Sequence, residues 1–476
     1  MKSVAHLLVL GFALLATLLG SCRKEQITDD PAAKLRFSTD TLTFDTVFTT
    51  LGTTTLRLKI FNDKSQIVRV SSIDLAGGDN SNFRINVDGI PGSHHEDIEI
   101  LPNDSLYIFV EATVDPTNAD NPIVIFDSIQ FRTNGNAQRV VLAAWGQDAH
   151  FYNGVIIGSE NWVNDKPYVI INSMQVDTGA KLTIQPGVRV YCSANSGILV
   201  SGSIEVNGGC NNDSVVFQGL RLEDFYDDVP GQWQGIFVLR ADGNPLSSFT
   251  NAVIKNSNFG LTIGSAFNAD LASFTTANAP RVTLNNVTIK NNFSSGLFCT
   301  FSTVTGTNIL AYNSGDNLLT LGFGGTYDFK HCTFVNYGST TTSHEKQILL
   351  VSNVASNGEE FSVNELNATF TNSILHGSLD EELNIVRDTN LQGTTPYNLL
   401  FDHCLLKTEI DTPSNRFVNV VRNTDPEFKN RGEGDFHLDM DSPGIDAGKG
   451  GLAVPQDLDC IARTEPADLG CYEHIP

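Results

Sequence analysis

Residues 182–208 read LTIQPGVRVYCSANSGILVSGSIEVNG, and their pattern decides the fold class of the larger part of the chain. Apolar and polar residues alternate over short segments, for example VRVY at 188–191 and SIEV at 203–206, and glycine, asparagine or proline separates the segments. Alternation over so few residues predicts short strands with one buried face, and the glycines predict corners between them. The stretch therefore indicates a succession of short β-strands.

Asparagine recurs at a fixed interval further along the chain. Two series have steps of 22 and 23 residues, and two series that keep one period are a repeat signal. A chain that coils with this period brings each side chain to about 4.7–4.9 Å from its counterpart in the next coil, where asparagine amides can form a ladder. The series are Asn286, Asn308 and His331, and Asn291, Asn313 and Asn336, with Asn372 and His403 continuing less regularly.

The order of these segments strongly resembles the opening turns of right-handed β-helix proteins, which implies a right-handed parallel β-helix over residues 150–440. The last segment, 441–476, resembles the C-terminal element of many surface β-helix proteins, where Ser-Pro-x-Ile-Asp-x-Gly precedes Asp-x-Asp-Gly, Arg and Asp-x-Gly-Ala-Tyr-Glu. Here it reads SPGIDAG from Ser442, DLDC from Asp457 and DLGCYE from Asp468. We expect this segment to cap the β-helix.

Residues 35–148 carry a different pattern, in which strands alternate clearly, as in LRLKI at 56–60 and IFDSIQF at 125–131. Turn sequences lie between the strands, and seven or so strands in roughly 110 residues suit an immunoglobulin-like sandwich. The segment also resembles the N-terminal sandwich that precedes β-helices in Bacteroidetes lipoproteins. The predicted fold is thus all-β, an N-terminal β-sandwich followed by a right-handed parallel β-helix.

The N-terminus predicts export. Lys2 precedes an apolar run from Val4 to Leu19, which is too short for a bilayer span of about 20 residues. The run ends in Leu19-Gly20-Ser21-Cys22, which resembles the lipobox read by the lipoprotein signal peptidase. This resemblance implies a signal peptide at 1–21, acyl chains such as palmitate on Cys22, and a lipidated tether at 22–34. The alternative is a plain secretory signal with an incidental cysteine.

Lys24-Glu25 and Asp29-Asp30 are similar to the basic-then-acidic signal that sends Bacteroidetes lipoproteins to the outer surface, although Gln26 departs from it. We therefore expect an outer-membrane protein that is anchored in the lipid bilayer through acylated Cys22 and faces the cell exterior. The net charge of −24, from 54 acidic and 30 basic residues, excludes nucleic acid as a partner, since that demands a basic face. The expected partners are polysaccharide or other outer-membrane proteins.

Eight cysteines in an exported chain predict disulfides. Lipidation of Cys22 leaves seven, so at least one thiol stays unpaired. The two departures from the C-terminal family pattern are both cysteine, and we expect a Cys460–Cys471 disulfide around a loop of about ten residues. The alternative is that the glycine of the pattern needs positive φ and that Cys460 strains the turn. The pairing of the others stays open: Cys192, Cys210, Cys299, Cys332 and Cys404.

Right-handed β-helices include pectate, alginate and chondroitin lyases and several glycosidases, so the resemblance raises a catalytic alternative. A lyase of this type needs a base beside a group that neutralises the uronate carboxylate. The basic side chains here fall in no recognisable lyase motif, and we expect them to be solvated on the faces of the coils. The candidate bases are Lys255, Lys290, Lys330, Arg240 and His331.

A glycosidase needs two carboxyl groups that face one sugar, about 5.5 Å or 6.5–9.5 Å apart. The paired acids of this chain lie in polar, loop-like stretches. Neighbouring residues of a strand point to opposite faces, so such pairs predict solvated loops and not a catalytic dyad. The pairs are Glu223-Asp224, Asp227-Asp228, Glu359-Glu360 and Asp380-Glu381-Glu382.

The sequence contains no HExxH, CxxC or spaced acidic calcium loop, and we predict no metal or cofactor. His331 and His403 stand where asparagine recurs, which favours a place in the ladder. His94-His95 lies in a turn and is expected to be exposed. One alternative stays open near the C-terminus, where Ca²⁺ or Arg463 would engage the surrounding carboxylates, with Arg463 favoured. These are Asp446, Asp457, Asp459 and Asp468.

Aromatic residues are the remaining candidates for function, because a long groove with exposed rings can stack sugars, although buried packing is the commoner role. The rings considered are Trp145, Trp162, Trp233, Tyr312 and Tyr337. We therefore expect a non-catalytic surface lipoprotein that binds glycan or belongs to an outer-membrane assembly. The alternative is a polysaccharide lyase or glycoside hydrolase that acts in the groove.

Overall fold

The chain is all-β in the computed structural model, which describes residues 26–48, 55–113, 123–264, 278–356, 361–387, 395–412 and 414–475. In these ranges there are strands and three short 3-10 segments but no α-helix, and hence no helix that could span a membrane. The chain forms two compact units that divide between Asp148 and Ala149. The expected signal peptide, 1–21, and Cys22 lie outside the described residues.

The first unit is two-layered. Its two five-stranded sheets are antiparallel apart from one parallel pair, β2 with β10, and they order as β1-β3-β8-β5-β6 and β2-β10-β9-β4-β7. Leu58 of one sheet and Val70 and Leu142 of the other belong to one buried cluster, so the sheets share a core. The strands are β1 (Arg36–Phe37), β2 (Thr41–Phe48), β3 (Leu56–Phe61), β4 (Val68–Leu75), β5 (Phe83–Val87), β6 (Ile90–Pro91), β7 (His94–Ile100), β8 (Ser105–Ala112), β9 (Ile123–Thr133) and β10 (Asn136–Gln147).

The second unit contains a 23-stranded sheet and two small antiparallel pairs, β27 with β28 and β36 with β37. Its strands are β11 (His150–Ile157), β12 (Glu160–Trp162), β13 (Tyr168–Val176), β14 (Lys181–Ile184), β15 (Arg189–Cys192), β16 (Gly197–Val200), β17 (Ser203–Asn207), β18 (Val215–Gly219), β19 (Gly235–Val238), β20 (Leu246–Lys255), β21 (Leu261–Ile263), β22 (Arg281–Asn292), β23 (Leu297–Ser314), β24 (Leu319–Lys330), β25 (Thr333–Asn336), β26 (Leu349–Ser352), β27 (Val354–Ser356), β28 (Phe361–Val363), β29 (Leu366–Thr371), β30 (Ile374–Gly377), β31 (Leu383–Val386), β32 (Tyr397–Asp402), β33 (Leu405–Leu406), β34 (Phe417–Val418), β35 (Val421–Arg422), β36 (Phe428–Asn430) and β37 (Asp435–Leu438).

Strands of the large sheet pair in parallel with their counterparts one repeat further along the chain. Val287 of β22 faces Ile309 of β23, and Val304 of β23 faces Tyr327 of β24. These offsets of 22 and 23 residues confirm the predicted repeat. The parallel pairing of the described strands ends at β35, and the antiparallel β36–β37 hairpin follows.

Left-handed backbone at the corners explains the recurring asparagines. Asn286, Asn291, Asn308 and Asn313 have φ of 50–55°, a conformation that asparagine adopts more readily than other side-chain-bearing residues. Asn308 Nδ2 donates to Asn286 Oδ1 at 2.9 Å, and Asn313 Nδ2 donates to Asn291 Oδ1 at 3.1 Å. The predicted amide ladders are confirmed at these positions.

Two histidines occupy ladder positions as predicted. His331 and His403 also have positive φ, and their Nε2 atoms lie 3.1 Å and 3.3 Å from the amide nitrogens of Asn372 and Asn419. Asn336 departs from its series, because its amide donates to the Ser314 carbonyl at 2.8 Å. Histidine thus replaces asparagine where a planar side chain with a ring nitrogen can continue the hydrogen bonding.

Phenylalanine rings stack inside successive repeats. The centroids of Phe329, Phe370, Phe401 and Phe417 follow one another at 5.2, 5.0 and 5.4 Å, with interplanar angles of 22° or less. The parallel register places these residues directly opposite one another. Offset stacking adds to the free energy that burial of each ring already provides.

The C-terminal segment, residues 441–475, lies against the side of the repeats. The ladder provides its binding groups: Arg463 Nη2 donates to Asn308 Oδ1 at 2.9 Å, and Lys449 N donates to Asn372 Oδ1 at 2.7 Å. Leu469 joins Tyr312 in a separate apolar cluster on the outer face of the sheet. The asparagine series therefore serves as a docking strip as well as a ladder.

The predicted Cys460–Cys471 disulfide is wrong, because Cys460 is bonded to Cys210, 250 residues earlier, with a Cα–Cα distance of 6.3 Å. Cys471 is buried with a free thiol, and its backbone N–H donates to Thr333 Oγ1 at 3.0 Å. Cys471 thus lies against the sheet, whereas Cys460 lies at a left-handed turn with φ of 63°. A positive φ at this position is a conformation that glycine adopts without strain.

Candidate binding site

The outer face of the parallel sheet changes character along the repeats. At Leu310, Val335 and Ile374 it is apolar, and Phe436 and Leu469 cover it. One and two repeats before Leu310 the same face is polar, because Lys290 of β22 stands beside Lys255 of β20 and beside Tyr312 of β23. The polar part of the face therefore carries side chains that can bind a ligand.

The two adjacent lysines are ion-paired to a loop. Lys255 Nζ lies 2.5 Å from Asp227 Oδ1, and Lys290 Nζ lies 3.5 Å from Asp228 Oδ1, which also accepts from Asn291 Nδ2 at 2.7 Å. Burial works against the charged form of Lys290, but Tyr312 and the two aspartates outweigh it and raise its pKa. A raised pKa favours the protonated form, which makes Lys290 a poor proton acceptor for lyase chemistry.

The other three candidate bases are apart from this pair and are engaged elsewhere. Lys330 Nζ lies 2.7 Å from Asp328. Arg240 Nη1 donates to Asn278 at 3.0 Å, and burial lowers its pKa only to about 10. His331 is buried in the ladder beneath the C-terminal segment, where burial lowers its pKa to about 3. The structure brings together Lys255 and Lys290 alone among the five.

The paired acids have structural partners. Besides the Asp227-Asp228 pair, Glu223 binds Arg221 at 3.1 Å, and Glu381 accepts from Thr408 Oγ1 at 2.9 Å. Glu382 is fully buried, where it accepts the backbone N–H groups of residues 348 and 379. The prediction of a solvated loop is wrong for Glu382, since these bonds replace water. Glu359-Glu360 lies outside the described residues.

Two of the carboxylates near Arg463, Asp457 and Asp468, are satisfied by backbone N–H groups. Asp457 accepts from Ile461 N at 2.8 Å and Glu473 N at 2.9 Å, and Asp468 Oδ1 accepts from Asp446 N at 2.7 Å. The carboxylate partner of Arg463 is Glu473 at 3.1 Å, a residue that the prediction did not include. No group of three or more potential metal ligands occurs among the described residues.

The aromatic residues considered from the sequence are mostly packing residues. Trp162 and Trp233 are fully buried, Tyr312 packs against Phe436 at 4.9 Å, and Tyr337 Oη bonds His376 Nδ1 at 2.9 Å. Trp145, in the first unit, is 37% exposed. Of the five rings, none is an exposed platform on the parallel sheet.

Sequence reasoning missed Phe293, which is 67% exposed and lies at the corner after β22. Its ring borders a groove of about 340 Å³, which we call the Phe293 groove. The usable signal was a large aromatic residue at a corner, where the next repeat has Gly315, rather than in an alternating strand. The groove is lined by Pro230, Phe293, Ser294, Gly315, Asp316, Thr341, Thr342 and Ser343.

The groove combines an apolar ring with hydroxyl groups and one carboxylate. Asp316 is exposed, and its backbone N–H bonds the Ser294 carbonyl at 3.0 Å, which fixes the two residues side by side. Thr342 is 6% exposed, and its Oγ1 has no hydrogen-bond partner in the described part of the chain. A buried hydroxyl without a partner costs free energy that a ligand group can recover. The lining contains no Lys or Arg among its described members.

The loop that carries Asp227 and Asp228 also forms the edge of the Phe293 groove. The carbonyl of Asp228 accepts from Thr341 Oγ1 at 3.0 Å, and Pro230 contributes to the lining. The ion pairs with Lys255 and Lys290 hold this loop on the sheet. The lysines therefore position the wall of a groove.

Comparison with known proteins gives no family. No family model matches the chain, and no curated protein matches it. Solved structures with local similarity are a family 123 glycoside hydrolase from Clostridium perfringens (11% identity, 24% of this chain and 25% of that one, TM-score 0.17), the PapD-like domain 7 of human CEP192 (13%, 28% and 97%, 0.18) and the Pseudomonas fluorescens alkylpurine DNA glycosylase AlkC (10%, 28% and 33%, 0.16). Similarity this low supports neither a finer fold assignment nor a function.

Proposed function

We propose that this chain is a cell-surface lipoprotein whose second unit is a right-handed β-helix that binds a neutral polysaccharide in the Phe293 groove without cleaving it. The observation that carries the proposal is the exposed Phe293 ring beside Asp316 and the hydroxyl groups of residues 341–343. An aromatic face packs against the C–H face of a sugar ring, and a few fixed polar groups select its hydroxyls.

The charge of the groove selects the class of glycan. Its single ionisable lining residue is acidic among those described, and the chain as a whole carries −24. A uronate would be repelled by Asp316 with no cation in the lining to offset it. Neutral sugars carry no charge for Asp316 to repel, and a carboxylate is a strong hydrogen-bond acceptor for their hydroxyl groups.

The parallel register supports the β-helix assignment. Strands of the second unit pair in parallel with their neighbours over successive coils, at an offset of 35 residues from β20 to β22 and of 22 residues from β22 to β23. Parallel crossover connections are right-handed in about 98% of cases. The two sheets around a common core support an immunoglobulin-like sandwich for the first unit. The lipoprotein assignment rests on Leu19-Gly20-Ser21-Cys22.

Binding can be measured by calorimetry on the mature chain in detergent, with neutral glucan, mannan, xylan and galactan against polygalacturonate and alginate. We expect affinity for a neutral chain, and Phe293→Ala to weaken it at least tenfold, which corresponds to the ~1.4 kcal/mol of a stacked ring. Phe126→Ala is the matched control, since Phe126 is 71% exposed in the other unit.

Unchanged affinity in Phe293→Ala, or binding to none of the neutral polymers, would overturn the proposal. New reducing ends would establish the hydrolase alternative, and unsaturated uronate absorbance would establish the lyase alternative. Retention of the chain in a detergent-stable complex with other outer-membrane proteins, without glycan affinity, would establish an assembly role instead.

A further inference from the structure

A second pocket, of about 490 Å³, lies over the outer side chains Val253 of β20 and Thr288 of β22. It belongs to the polar part of the sheet face, at the border of the C-terminal segment. Thr288 precedes the ion-paired Lys290 by two residues on the same face, so the pocket and the lysines are neighbours. None of the residues of the Phe293 groove lines it.

The two walls of this pocket come from distant parts of the chain. One wall is the turn at residues 209–214, and the other is formed by Leu458, Asp459 and Tyr472 of the C-terminal segment. The Cys210–Cys460 disulfide joins the walls, and both of its cysteines line the pocket. We call this cavity the disulfide pocket.

The lining is rich in amides and hydroxyl groups. Asn251 and Asn286 contribute ladder amides, Ser214 and Thr288 contribute hydroxyls, and the described lining contains no Lys or Arg. Burial raises the pKa of Tyr472, so its hydroxyl stays protonated and can donate. These are the groups that recognise a neutral polyhydroxylated ligand, and they resemble the Phe293 groove in having one carboxylate, here Asp459.

The wall formed by the C-terminal segment is held in place by a histidine. The His437 ring stacks on Tyr472 with centroids 3.8 Å apart, and its Nε2 lies 3.0 Å from Asp459 Oδ2. The ring lies between two carboxylates, since its Nδ1 is 2.6 Å from Asp435 Oδ1, and Asp459 raises the pKa of His437 with Asp435 adding to the effect. The wall is thus ordered before a ligand arrives, which lowers the entropic cost of binding.

We infer that the disulfide pocket is a second saccharide site, specific for neutral sugars, and that it exists only when Cys210 and Cys460 are oxidised. The ligand class rests on the proposed function, whereas the position and the redox dependence come from the pocket itself. Reduction by dithiothreitol delivers two electrons and two protons to the disulfide, gives two thiols and converts the reagent to its cyclic disulfide. Both sulfurs belong to half-buried residues within reach of solvent.

The second site is measured in a Phe293→Ala background, so that the Phe293 groove does not contribute. The probes are gluco-, manno-, xylo- and galacto-oligosaccharides, and the readout is calorimetry. We expect one remaining site, which Thr288→Trp fills and weakens at least tenfold. Thr283→Trp is the matched control, because Thr283 is also half-buried on β22 but does not line the pocket. Val253→Trp provides a second blocking variant if Thr288→Trp does not fold.

The redox experiment measures binding by the Phe293→Ala chain before and after treatment with dithiothreitol. It also measures binding by a Phe293→Ala chain that carries both Cys210→Ser and Cys460→Ser. We expect the remaining site to be lost in both cases, while the same cysteine changes in a chain with Phe293 leave the Phe293 groove binding sugar. Binding that survives Thr288→Trp and Val253→Trp, or that ignores reduction, overturns the inference alone. Absence of binding to the wild-type chain overturns the proposed function.

Discussion

Arg463 Nη2 donates a hydrogen bond to Oδ1 of Asn308, a residue 155 positions earlier, at 2.9 Å. The amide of Asn308 meanwhile donates to Asn286 Oδ1 and to the Gln456 carbonyl. One side chain therefore continues the ladder, tolerates a left-handed corner and binds the C-terminal segment. These three roles can be separated by comparison with Asn313, which has the corner and the ladder only.

Asn308→Ala is expected to lower the free energy of unfolding by about 3 kcal/mol. It places alanine in a left-handed conformation, at about 1–2 kcal/mol, and leaves buried partners unpaired, at about 1–3 kcal/mol. Asn313→Ala, the control, should cost less and leave the C-terminal segment resistant to limited proteolysis. Equal cleavage of the two variants near residues 446–473 would contradict the docking role of Asn308.

The disulfide connectivity predicts a specific peptide map. Under non-reducing digestion the peptide with Cys210 should be linked to the peptide with Cys460, and Cys471 should resist alkylation until the chain unfolds, because it is fully buried. Changing both Cys210 and Cys460 to serine should lower stability by on the order of 5–6 kcal/mol on the chain-entropy model, since the closed loop spans 250 residues. A Cys460–Cys471 peptide would refute this connectivity.

Acid should destabilise the second unit through His331. Burial lowers its pKa from the ordinary 6.5 to about 3, so the folded state favours the neutral ring. The stability that this provides is complete above pH 6.5 and is lost as the pH falls from there toward 3, by on the order of 2–3 kcal/mol at pH 4. His331→Asn, the residue found at positions 308 and 372 of the ladder, should remove this loss.

The measurement is urea unfolding at pH 7 and pH 4, followed by the fluorescence of the buried Trp162 and Trp233. His94→Asn is the control, because His94 lies exposed in the first unit and Asp74 raises its pKa. The same difference between the two pH values in His331→Asn and in the wild type would rule out the assignment.

Removal of one ring from the phenylalanine stack should lower the free energy of unfolding strongly. Phe370 is fully buried between Phe329 and Phe401, so Phe370→Ala should lower the unfolding free energy by about 3–5 kcal/mol. Phe361→Ala is matched in chemistry but removes a ring that is 62% exposed, and should change stability by less than about 0.5 kcal/mol. Similar midpoints in urea for the two variants would contradict the stacked core.

Cys22→Ala tests the anchor. We expect the variant to carry no radiolabelled palmitate and to leave the detergent phase for the aqueous phase, because the acyl chains are the membrane-binding group. Cys210→Ser, which retains the lipobox, serves as the control for loss of a cysteine. Detergent partitioning of Cys22→Ala like that of the wild type would reject the lipoprotein assignment.

The repeat was predictable because its cause is local. A left-handed corner needs asparagine or a substitute in every coil, so Asn286 and Asn308 reveal the period in the sequence itself. The same reasoning identified His331 as a ladder member. The corner asparagines also bind the C-terminal segment, and the sequence did not reveal this role. The partners of Asn308 lie 148–155 residues away, and the partner of Asn372 lies 77 residues away.

The errors have separate physical causes. Cys460 and Cys471 lie close together in the chain, but spacing does not give the direction of a side chain, and the true partner of Cys460 is 250 residues away. Phe293 was missed because the aromatic candidates were tryptophans and tyrosines, and the repeats fully or partly bury those that they contain. Glu382 was predicted to lie in solvent because its neighbours are acidic. In the structure, backbone N–H groups donate hydrogen bonds to its buried carboxylate and replace water.

The long reach of the Cys210–Cys460 bond has a consequence for biogenesis. A ribosome makes Cys210 long before Cys460, and a chain that crosses a membrane N-terminus first delivers them in the same order. Cys210 therefore cannot form its native disulfide until 250 further residues have emerged. Any chain that ends prematurely before residue 460 keeps that thiol, so a thiol reagent distinguishes truncated products from finished ones. The covalent bond thus forms only in chains whose synthesis has passed residue 460.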